Sequence, residues 1–338
     1  MSLLQKLPRK PSNALSTLAI STRFFTTQNP NPNAKPNSFP DVPTSAYYDE
    51  LIHAAGRSRD FETLRQLLNK RLWDGCFNTS KTFNFITNNE TGLSILDELP
   101  QTLARLDKGL PRKNAYDSLI ARLCKLRRID EALRMIDTMA REGSGPNAYT
   151  FLPILDVFTR KKDMEGAWRV MDLMRKYQIP PDKTAYNYIL MAYCVAGDLT
   201  AAAEVLTKMV GQGLNADSRT YDALVLCACK AGKVEGALVV LRRMIDDGVL
   251  VQLSTHMYVI KSLLGLGYYA QAVAYVRCFT GRDTWLDTNL LGCLASKLIE
   301  SKRFDEAKIV LEEMKEKGLE LGNTLSEFYT VNVEDEKD

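Results

Sequence analysis

The sequence predicts an all-α fold, an α-solenoid of about eight helix-turn-helix repeats of 35 residues. Three columns of residues at this constant step predict it. The first column is aromatic, at Tyr116, Phe151, Tyr186 and Tyr221. The second is alanine, at Ala132, Ala167, Ala202, Ala237, Ala272 and Ala307. The third is Met139, Met174, Met209, Met244, Phe279 and Met314. A register held over so many copies indicates stacked repeats that bury one another's apolar faces.

The N-terminal segment differs in composition from the rest of the chain. Residues 1–25 contain no Asp or Glu, carry four basic residues and are rich in Ser and Thr. This composition is typical of an organellar transit peptide, and Arg23 shortly before Phe25 resembles a mitochondrial processing site. We therefore expect a presequence over 1–25 and a location in the mitochondrial matrix, with the chloroplast as the alternative. The Pro- and Asn-rich stretch over 26–44 is typical of a linker.

Each repeat predicts two helices joined by a short turn. In the first helix, apolar residues fall at i, i+3, i+4 and i+7, as at Tyr116, Leu119, Ile120 and Leu123, and form one stripe. The second helix carries the small alanine of the second column, where two helices would cross closely. A glycine in the left-handed conformation is expected to end four of these second helices, at Gly143, Gly213, Gly248 and Gly318.

This register sets the expected boundaries of the repeats. They are 45–79, 80–112, 113–147, 148–182, 183–217, 218–252, 253–287 and 288–322, followed by an acidic C-terminal tail over 323–338. The second repeat is short, and Thr87 and Glu90 interrupt its apolar stripe, so we interpret it as a degenerate copy.

Composition and motifs argue against a catalytic or metal site. The seven cysteines form no CxxC pair and only two histidines are present, so the ligand supply of a zinc site is missing. No phosphate-binding loop, nucleophile elbow or zinc-protease helix motif occurs. No apolar run approaches the roughly 18 residues that a membrane-spanning helix requires. We therefore expect no enzyme activity, no cofactor, no small-molecule substrate and no membrane partner.

The charge of the chain limits how it can bind a polyanion. The net charge is +3, from 44 basic and 41 acidic residues. Removal of residues 1–25 takes four positive charges away and leaves a net charge of −1. Any binding of nucleic acid must therefore depend on a local basic stripe.

The repeats resemble pentatricopeptide repeats, as in the stretch from Lys113 to Asn147. The tetratricopeptide repeat is the near alternative, but it has a period of 34 residues and a small residue where this chain has bulky Ile120 or Leu155. The resemblance covers the predicted array over 45–322. It implies a right-handed α-solenoid, of the short P-type found in organelles, whose first helices line the concave side.

The resemblance also implies which residues contact RNA, one base per repeat. In the family, the fifth residue of a repeat and its last residue read the base, and here only Asn187 with Asp217 matches a familiar pair, one associated with uracil. The second residue packs against bases, and Tyr149 is the one aromatic residue at that position. A basic thirteenth residue reaches the phosphate backbone, which implies this role for Arg57, Lys125, Arg160 and Lys230.

Three functions follow as hypotheses. The first is a non-catalytic factor of mitochondrial RNA metabolism or translation that contacts the backbone of single-stranded or ribosomal RNA. Its sharpest version is a scaffold within a ribonucleoprotein or the mitochondrial ribosome, with ribosomal or other ribonucleoprotein proteins as neighbours. The second is a transcript-specific stabilising or processing factor. The third is a solenoid that binds only protein.

Overall fold

A computed structural model describes residues 43–88 and 90–334 of the chain. The presequence predicted over 1–25 and nearly all of the linker predicted over 26–44 lie outside the described residues. The helices are α1 Ser45–Ser58, α2 Phe61–Trp73, α3 Glu90–Ala104, α4 Leu110–Lys125, α5 Ile129–Arg141, α6 Ala148–Arg160, α7 Met164–Lys176, α8 Lys183–Ala196, α9 Leu199–Gly211, α10 Ser218–Lys230, α11 Val234–Asp246, α12 Leu253–Gly265, α13 Tyr269–Phe279, α14 Thr284–Glu300, α15 Phe304–Glu316 and α16 Asn323–Tyr329. A short π-helix, Thr330–Glu334, follows. The described part of the chain contains no strand, which confirms the all-α class.

The chain forms two compact bodies, whose described parts are residues 43–185 and 186–334. In each body, a first helix packs against its own second helix and against the first helix of the next hairpin. The N-terminal body shows this in the packing of α4 on α5 and on α6. The C-terminal body repeats it in the packing of α10 on α11 and on α12, and of α12 on α14. This stacking of hairpins is the α-solenoid class that the 35-residue step predicts.

The three residue columns form the core of each body. All six alanines of the second column are fully or almost fully buried, as are the methionines of the third. Their burial confirms the predicted register, because a shift by one residue would turn these side chains away from the neighbouring helix. The four glycines predicted to end second helices have φ angles between 66° and 72°, in the left-handed region.

Three tyrosines at the aromatic position of their repeats also form hydrogen bonds. The hydroxyl groups of three tyrosines each donate to a carboxylate 26 residues later, at the C-terminal cap of the second helix of the same hairpin. These pairs are Tyr48 with Asp74, Tyr116 with Glu142 at 2.6 Å, and Tyr221 with Asp247. Because a buried tyrosine needs a partner for its hydroxyl, the bond fixes the two helices of the hairpin at their open end.

The segment 80–112, predicted to be a degenerate repeat, contains one complete helix, α3, instead of two, and α4 begins within it at Leu110. Residues 80–85 form turns from which aromatic side chains still reach the core. Gly56 of α1 makes room for one of them, because a Cβ at this position would lie 2.5 Å from the Phe85 ring.

Arg122 of α4 compensates for the missing helix. Its guanidinium donates to the main-chain oxygen of Ile86 at 2.7 Å and to that of Asn84 at 3.3 Å. Carbonyl groups in irregular buried chain need such donors because no helical N–H serves them. Burial lowers the pKa of the Arg122 side chain, which nonetheless stays protonated at neutral pH.

The C-terminal end departs from the predicted boundaries in two places. Helix α14 begins at Thr284, four residues before the boundary predicted at 288, because Asp283 caps its N-terminus. The tail predicted over 323–338 begins with α16, whose Leu325 and Tyr329 are buried against the last hairpin. Phe328 of the same helix packs on Phe304, with ring centroids 5.6 Å apart. The tail therefore starts as a helix that covers the end of the array.

His256 replaces tyrosine in the aromatic column and is 2% exposed. Its Nδ1 lies 2.8 Å from the hydroxyl of Tyr275, and its ring packs edge-on against Phe279 with centroids 4.6 Å apart. Burial lowers the pKa of the imidazole to about 4. The folded state therefore holds His256 neutral over a range in which the unfolded chain protonates it.

This arrangement predicts that acid destabilises the C-terminal body before its carboxylates titrate. A histidine with a lowered folded pKa contributes full stability above its unfolded pKa of about 6.5 and loses it as the pH falls towards 4. At pH 5 the loss should reach about 2 kcal/mol. Thermal denaturation followed by circular dichroism between pH 7.5 and 5 measures it.

His53→Gln is the matched control, since His53 is the other histidine of the chain and is half-buried. We expect His256→Asn to flatten the dependence on pH between 6.5 and 5, and His53→Gln to leave it unchanged. Equal slopes in the wild type and in the His256 variant would contradict the assignment.

Candidate nucleic-acid interface

The fifth residues of four repeats make the same hydrogen bond to the third residue of the next repeat. In each case a buried threonine hydroxyl, 33 residues further on, donates to a side-chain oxygen of Asp or Asn. The pairs are Asp49 with Thr82 at 2.8 Å, Asp117 with Thr150 at 2.7 Å, Asn187 with Thr220 at 2.8 Å and Asp222 with Thr255 at 2.7 Å. Two of these pairs lie in each body. We call this contact the junction bond.

The junction bond places the fifth residues where consecutive first helices meet. Thr150 and Thr220 each also complete a capping box, in which the hydroxyl oxygen accepts from the main-chain N–H of the last residue of the preceding repeat. These last residues, Asn147 and Asp217, in turn cap α6 and α10. The fifth and last residues of a repeat, which the family resemblance pairs, therefore lie together at the start of the next helix.

Asn187 and Asp217, the one familiar pair, bond directly to each other. The Asn187 amide nitrogen donates to Oδ1 of Asp217 at 3.1 Å. Asn187 is 7% exposed and Asp217 is half-buried. Both residues are thus held rigidly at the edge of the core, and the role in base contact that the resemblance implies for them stays a prediction.

A groove of about 540 Å³ in the N-terminal body brings two other candidate residues together. Lys125 and Tyr149 both line it, together with the fifth and last residues Asp117 and Asn147. Lys125 is exposed at the end of α4, and Tyr149 is 66% exposed at the start of α6. Lys113 also lines the groove and pairs with Asp117 at 2.6 Å, which offsets the negative charge of that carboxylate.

Asp49 is neutralised in a different way, by an arginine in the methionine column. Arg71 lies at the position that Met139 occupies two repeats later, and its side chain is 1% exposed. Its guanidinium donates to Asp49 and to Thr82, at 2.8 and 2.9 Å. Burial alone would raise the pKa of the Asp49 carboxyl, but hydrogen bonds from Thr79, Arg71 and Thr82 outweigh it and hold the pKa below its usual value.

The four predicted phosphate contacts are exposed cations in the last turn of a first helix. Arg57 lies in α1, Lys125 ends α4, Arg160 ends α6 and Lys230 ends α10. Arg160 forms a surface ion pair with Asp156 at 2.8 Å, a contact that a phosphate could replace at small cost. Lys230 lines a shallow groove of about 350 Å³ with Tyr258 and Lys261. The groove of about 540 Å³ thus groups Lys125 with Tyr149, whereas neither Arg57 nor Arg160 lines it.

Sequence reasoning missed the threonines and the two cations that neutralise aspartates. The signal for the threonines was available, because in four repeats the fifth residue is Asp or Asn and Thr follows it 33 residues later. The pairing of Lys113 with Asp117 could be expected from their i, i+4 spacing on one helix. No local pattern indicates Arg71, because its position in the register predicts an apolar residue.

The part of the chain that the structure describes offers few groups for metal binding or for thiol chemistry. No cluster of three or more His, Cys, Asp or Glu side chains there could hold a metal ion. Burial raises the pKa of Cys124 to about 12 and that of Cys229 to about 11, so both thiols stay protonated at neutral pH. Among the described helices, none has the length and apolar character needed to cross a membrane.

Two family models match the chain. Residues 118–263 match the pentacotripeptide-repeat region of PRORP, and residues 292–319 match the PPR repeat. Two proteins of Arabidopsis thaliana match along nearly the whole chain, and both bear the name pentatricopeptide repeat-containing protein, mitochondrial. At3g56030 is 47% identical over 337 residues, which are 98% of this chain and 95% of that protein. At2g40240 is 57% identical over 335 residues, which are 98% of this chain and 93% of that protein.

Solved structures of repeat proteins also resemble the chain. Maize PPR10 in complex with an 18-nucleotide psaJ RNA element matches 88% of this chain with a TM-score of 0.47 and 17% identity. The match spans 51% of PPR10, so the chain spans about half the length of that protein. The PPR domain of Arabidopsis thaliana protein-only RNase P 1, in complex with tRNA, matches 65% of this chain and 98% of that domain, with a TM-score of 0.34 and 17% identity.

The buried ion pair of the first repeat predicts an asymmetric response to mutation. Asp49→Asn leaves the Arg71 charge buried without a counterion, which should lower the free energy of unfolding by about 3–5 kcal/mol. Arg71→Met installs the residue that the register uses elsewhere and should cost less, about 1–3 kcal/mol, because the buried charge leaves together with its hydrogen bonds to Asp49 and Thr82. Urea denaturation followed by circular dichroism measures both losses.

A second buried carboxylate in the chain supports the smaller loss expected for Arg71→Met. Asp222 is 6% exposed and accepts only from hydroxyl groups, those of Ser254 and Thr255, among the contacts that the structure gives. A carboxylate at this position is therefore compatible with the fold without a cation. Equal losses of unfolding free energy in the two variants would contradict this prediction and show that the Asp49 carboxylate needs the Arg71 cation.

Proposed function

The chain belongs to the pentatricopeptide repeat family and is a mitochondrial protein, and on this premise we propose that it is a non-catalytic RNA-binding solenoid of mitochondrial RNA metabolism or translation. The observation that carries the proposal is the groove of about 540 Å³ in the N-terminal body. It combines an exposed cation, an exposed aromatic ring and a pair of polar side chains at one junction of repeats. These are the three kinds of group that bind single-stranded RNA.

Each group has a distinct part in this binding. Lys125 neutralises a phosphate, which gives affinity that depends on salt and carries no sequence information. The Tyr149 ring stacks on a base, which any base accepts. Asp117 and Asn147 meet the edge of that base, and the pairing of Asp117 with Lys113 reduces the repulsion between its carboxylate and the RNA backbone.

The residues at the fifth positions favour contact with the RNA backbone over recognition of bases along many repeats. Leu152, Met257 and Gly292 are the fifth residues of three repeats and offer no hydrogen bond to a base. Cations at the thirteenth position recur in both bodies, at Arg57, Lys125, Arg160 and Lys230. This balance supports a scaffold in a ribonucleoprotein of the mitochondrial matrix, most sharply one associated with the mitochondrial ribosome.

The rigid pair of Asn187 and Asp217 favours a second candidate function, that of a transcript-specific stabilising or processing factor. Crosslinking in intact mitochondria followed by sequencing of the bound RNA separates the candidates. Reads dominated by ribosomal RNA support the scaffold, and one sharp messenger RNA footprint supports the specific factor. No RNA above background would overturn both in favour of a solenoid that binds only protein.

Removing three predicted phosphate contacts should weaken binding to all single-stranded RNAs by similar factors. In the triple variant Lys125→Gln, Arg160→Gln, Lys230→Gln, the slope of log affinity against log salt should fall by up to about two, since each contact contributes about 0.7. Filter binding of the full chain to homopolymers and to a random pool, across a salt series, measures this.

The matched control removes three cations from the last turns of consecutive second helices, by Arg141→Gln, Lys176→Gln and Lys208→Gln. It changes the net charge by the same amount on the other layer of helices. We expect it to leave the salt slope close to that of the wild type. If the two triple variants lower the slope equally, the effect is one of overall charge and the phosphate contacts are wrongly placed.

A further inference from the structure

A closed ring of hydrogen bonds surrounds the amide of Asn187. The main-chain N–H of Asp217 donates to the Thr220 hydroxyl oxygen at 3.2 Å. That hydroxyl donates to Oδ1 of Asn187 at 2.8 Å. The amide nitrogen of Asn187 then donates to Oδ1 of Asp217 at 3.1 Å and closes the ring. The ring uses one of the two N–H groups of the amide.

The chemistry of the ring fixes which way the amide points. A carboxylate has only acceptors, so the amide must turn its nitrogen towards Asp217 and its oxygen towards Thr220. The Thr220 hydroxyl also lies 2.9 Å from Oδ1 of Asp217, but that oxygen already accepts from the Thr220 main-chain N–H and from Asn187. The hydroxyl proton therefore goes to the amide oxygen, which is buried and would otherwise lose a bond.

We propose that Thr220 is a positioning residue that makes the fifth repeat select a keto base over an amino base. With its oxygen held by Thr220, the Asn187 amide presents its remaining N–H to a bound base and never its carbonyl. An N–H donor matches the keto oxygen at C4 of uracil and opposes the amino group at C4 of cytosine. The proposal rests on the proposed function, because it specifies how one repeat of an RNA-binding array discriminates bases.

A neighbouring repeat shows why the threonine matters for an amide in particular. Thr255 makes the same junction bond to Asp222, at 2.7 Å. A carboxylate has two equivalent oxygens, so loss of the threonine hydroxyl there leaves the polarity of the group unchanged. At Asn187 the same loss removes one of the two contacts that orient the amide, so that only the hydrogen bond to Asp217 still opposes rotation of the carbonyl towards the base.

The experiment compares three variants of the full chain with the wild type. Thr220→Val removes the hydroxyl at nearly constant shape, Thr220→Ser keeps it, and Thr255→Val removes the equivalent hydroxyl beside a carboxylate. Selection from a pool of short RNAs of random sequence identifies the position at which the wild type prefers uridine. Affinities are then measured for two RNAs that differ only by uridine or cytidine at that position, with helicity checked by circular dichroism.

We expect Thr220→Val to lower the ratio of uridine to cytidine affinity by about fivefold, the value of one hydrogen bond. Thr220→Ser should restore the ratio, and Thr255→Val should leave it at the wild-type value. A uridine preference that survives Thr220→Val, or that falls equally in Thr255→Val, would overturn the role of Thr220. Wild-type binding without preference for uridine at any position would overturn it as well and leave the proposed function standing, whereas absence of RNA binding would overturn the proposed function itself.

Discussion

The junction bond between a fifth residue and a threonine of the next repeat is the contact on which the rest of the structure depends. A single hairpin cannot bury its own apolar face, so each repeat is stable only when its neighbour is stacked in register. Apolar packing supplies the free energy of that stacking but tolerates small displacements of one helix along another. A buried hydroxyl that must reach one particular oxygen does not, because a missed bond leaves two buried polar groups without partners. At these four junctions the polar contact therefore specifies the register that the apolar contacts stabilise.

The architecture could be predicted from the sequence because stacking repeats its demands every 35 residues. The alanine and methionine columns are visible without any structure, since each copy must meet the same neighbour at the same distance. The departures from this prediction are local. They arise where a contact with a residue distant in sequence, and not the position in the repeat, determines the residue type. Arg71 stands in the methionine column because Asp49 offers it a carboxylate, and Arg122 serves carbonyl groups of a segment whose helix is missing. Partners of this kind lie far away in sequence and leave no periodic trace.

The candidate site, too, could be predicted only in part from the sequence. The family pattern indicated the pair Asn187 and Asp217, and the structure shows that the two side chains bond to each other. The pattern did not indicate that the side chains predicted to contact a base also form hydrogen bonds to the next repeat. The fifth residues of four repeats are structural residues as well as proposed base contacts, so we expect substitutions at these positions to change stability together with any specificity. Measurements on this class of protein need both readouts to be interpreted.

The helix α16 has a consequence for how copies of the chain can associate. In a stack of identical hairpins, the outer face of the final hairpin has the shape and apolarity that another hairpin would fit, which makes an open solenoid prone to end-to-end polymerisation. Leu325 and Tyr329 occupy that face beside α14 and α15, and the side of α16 that points away from the hairpin is largely polar. At this end the chain itself therefore covers the apolar face on which a hairpin of a second molecule could otherwise stack.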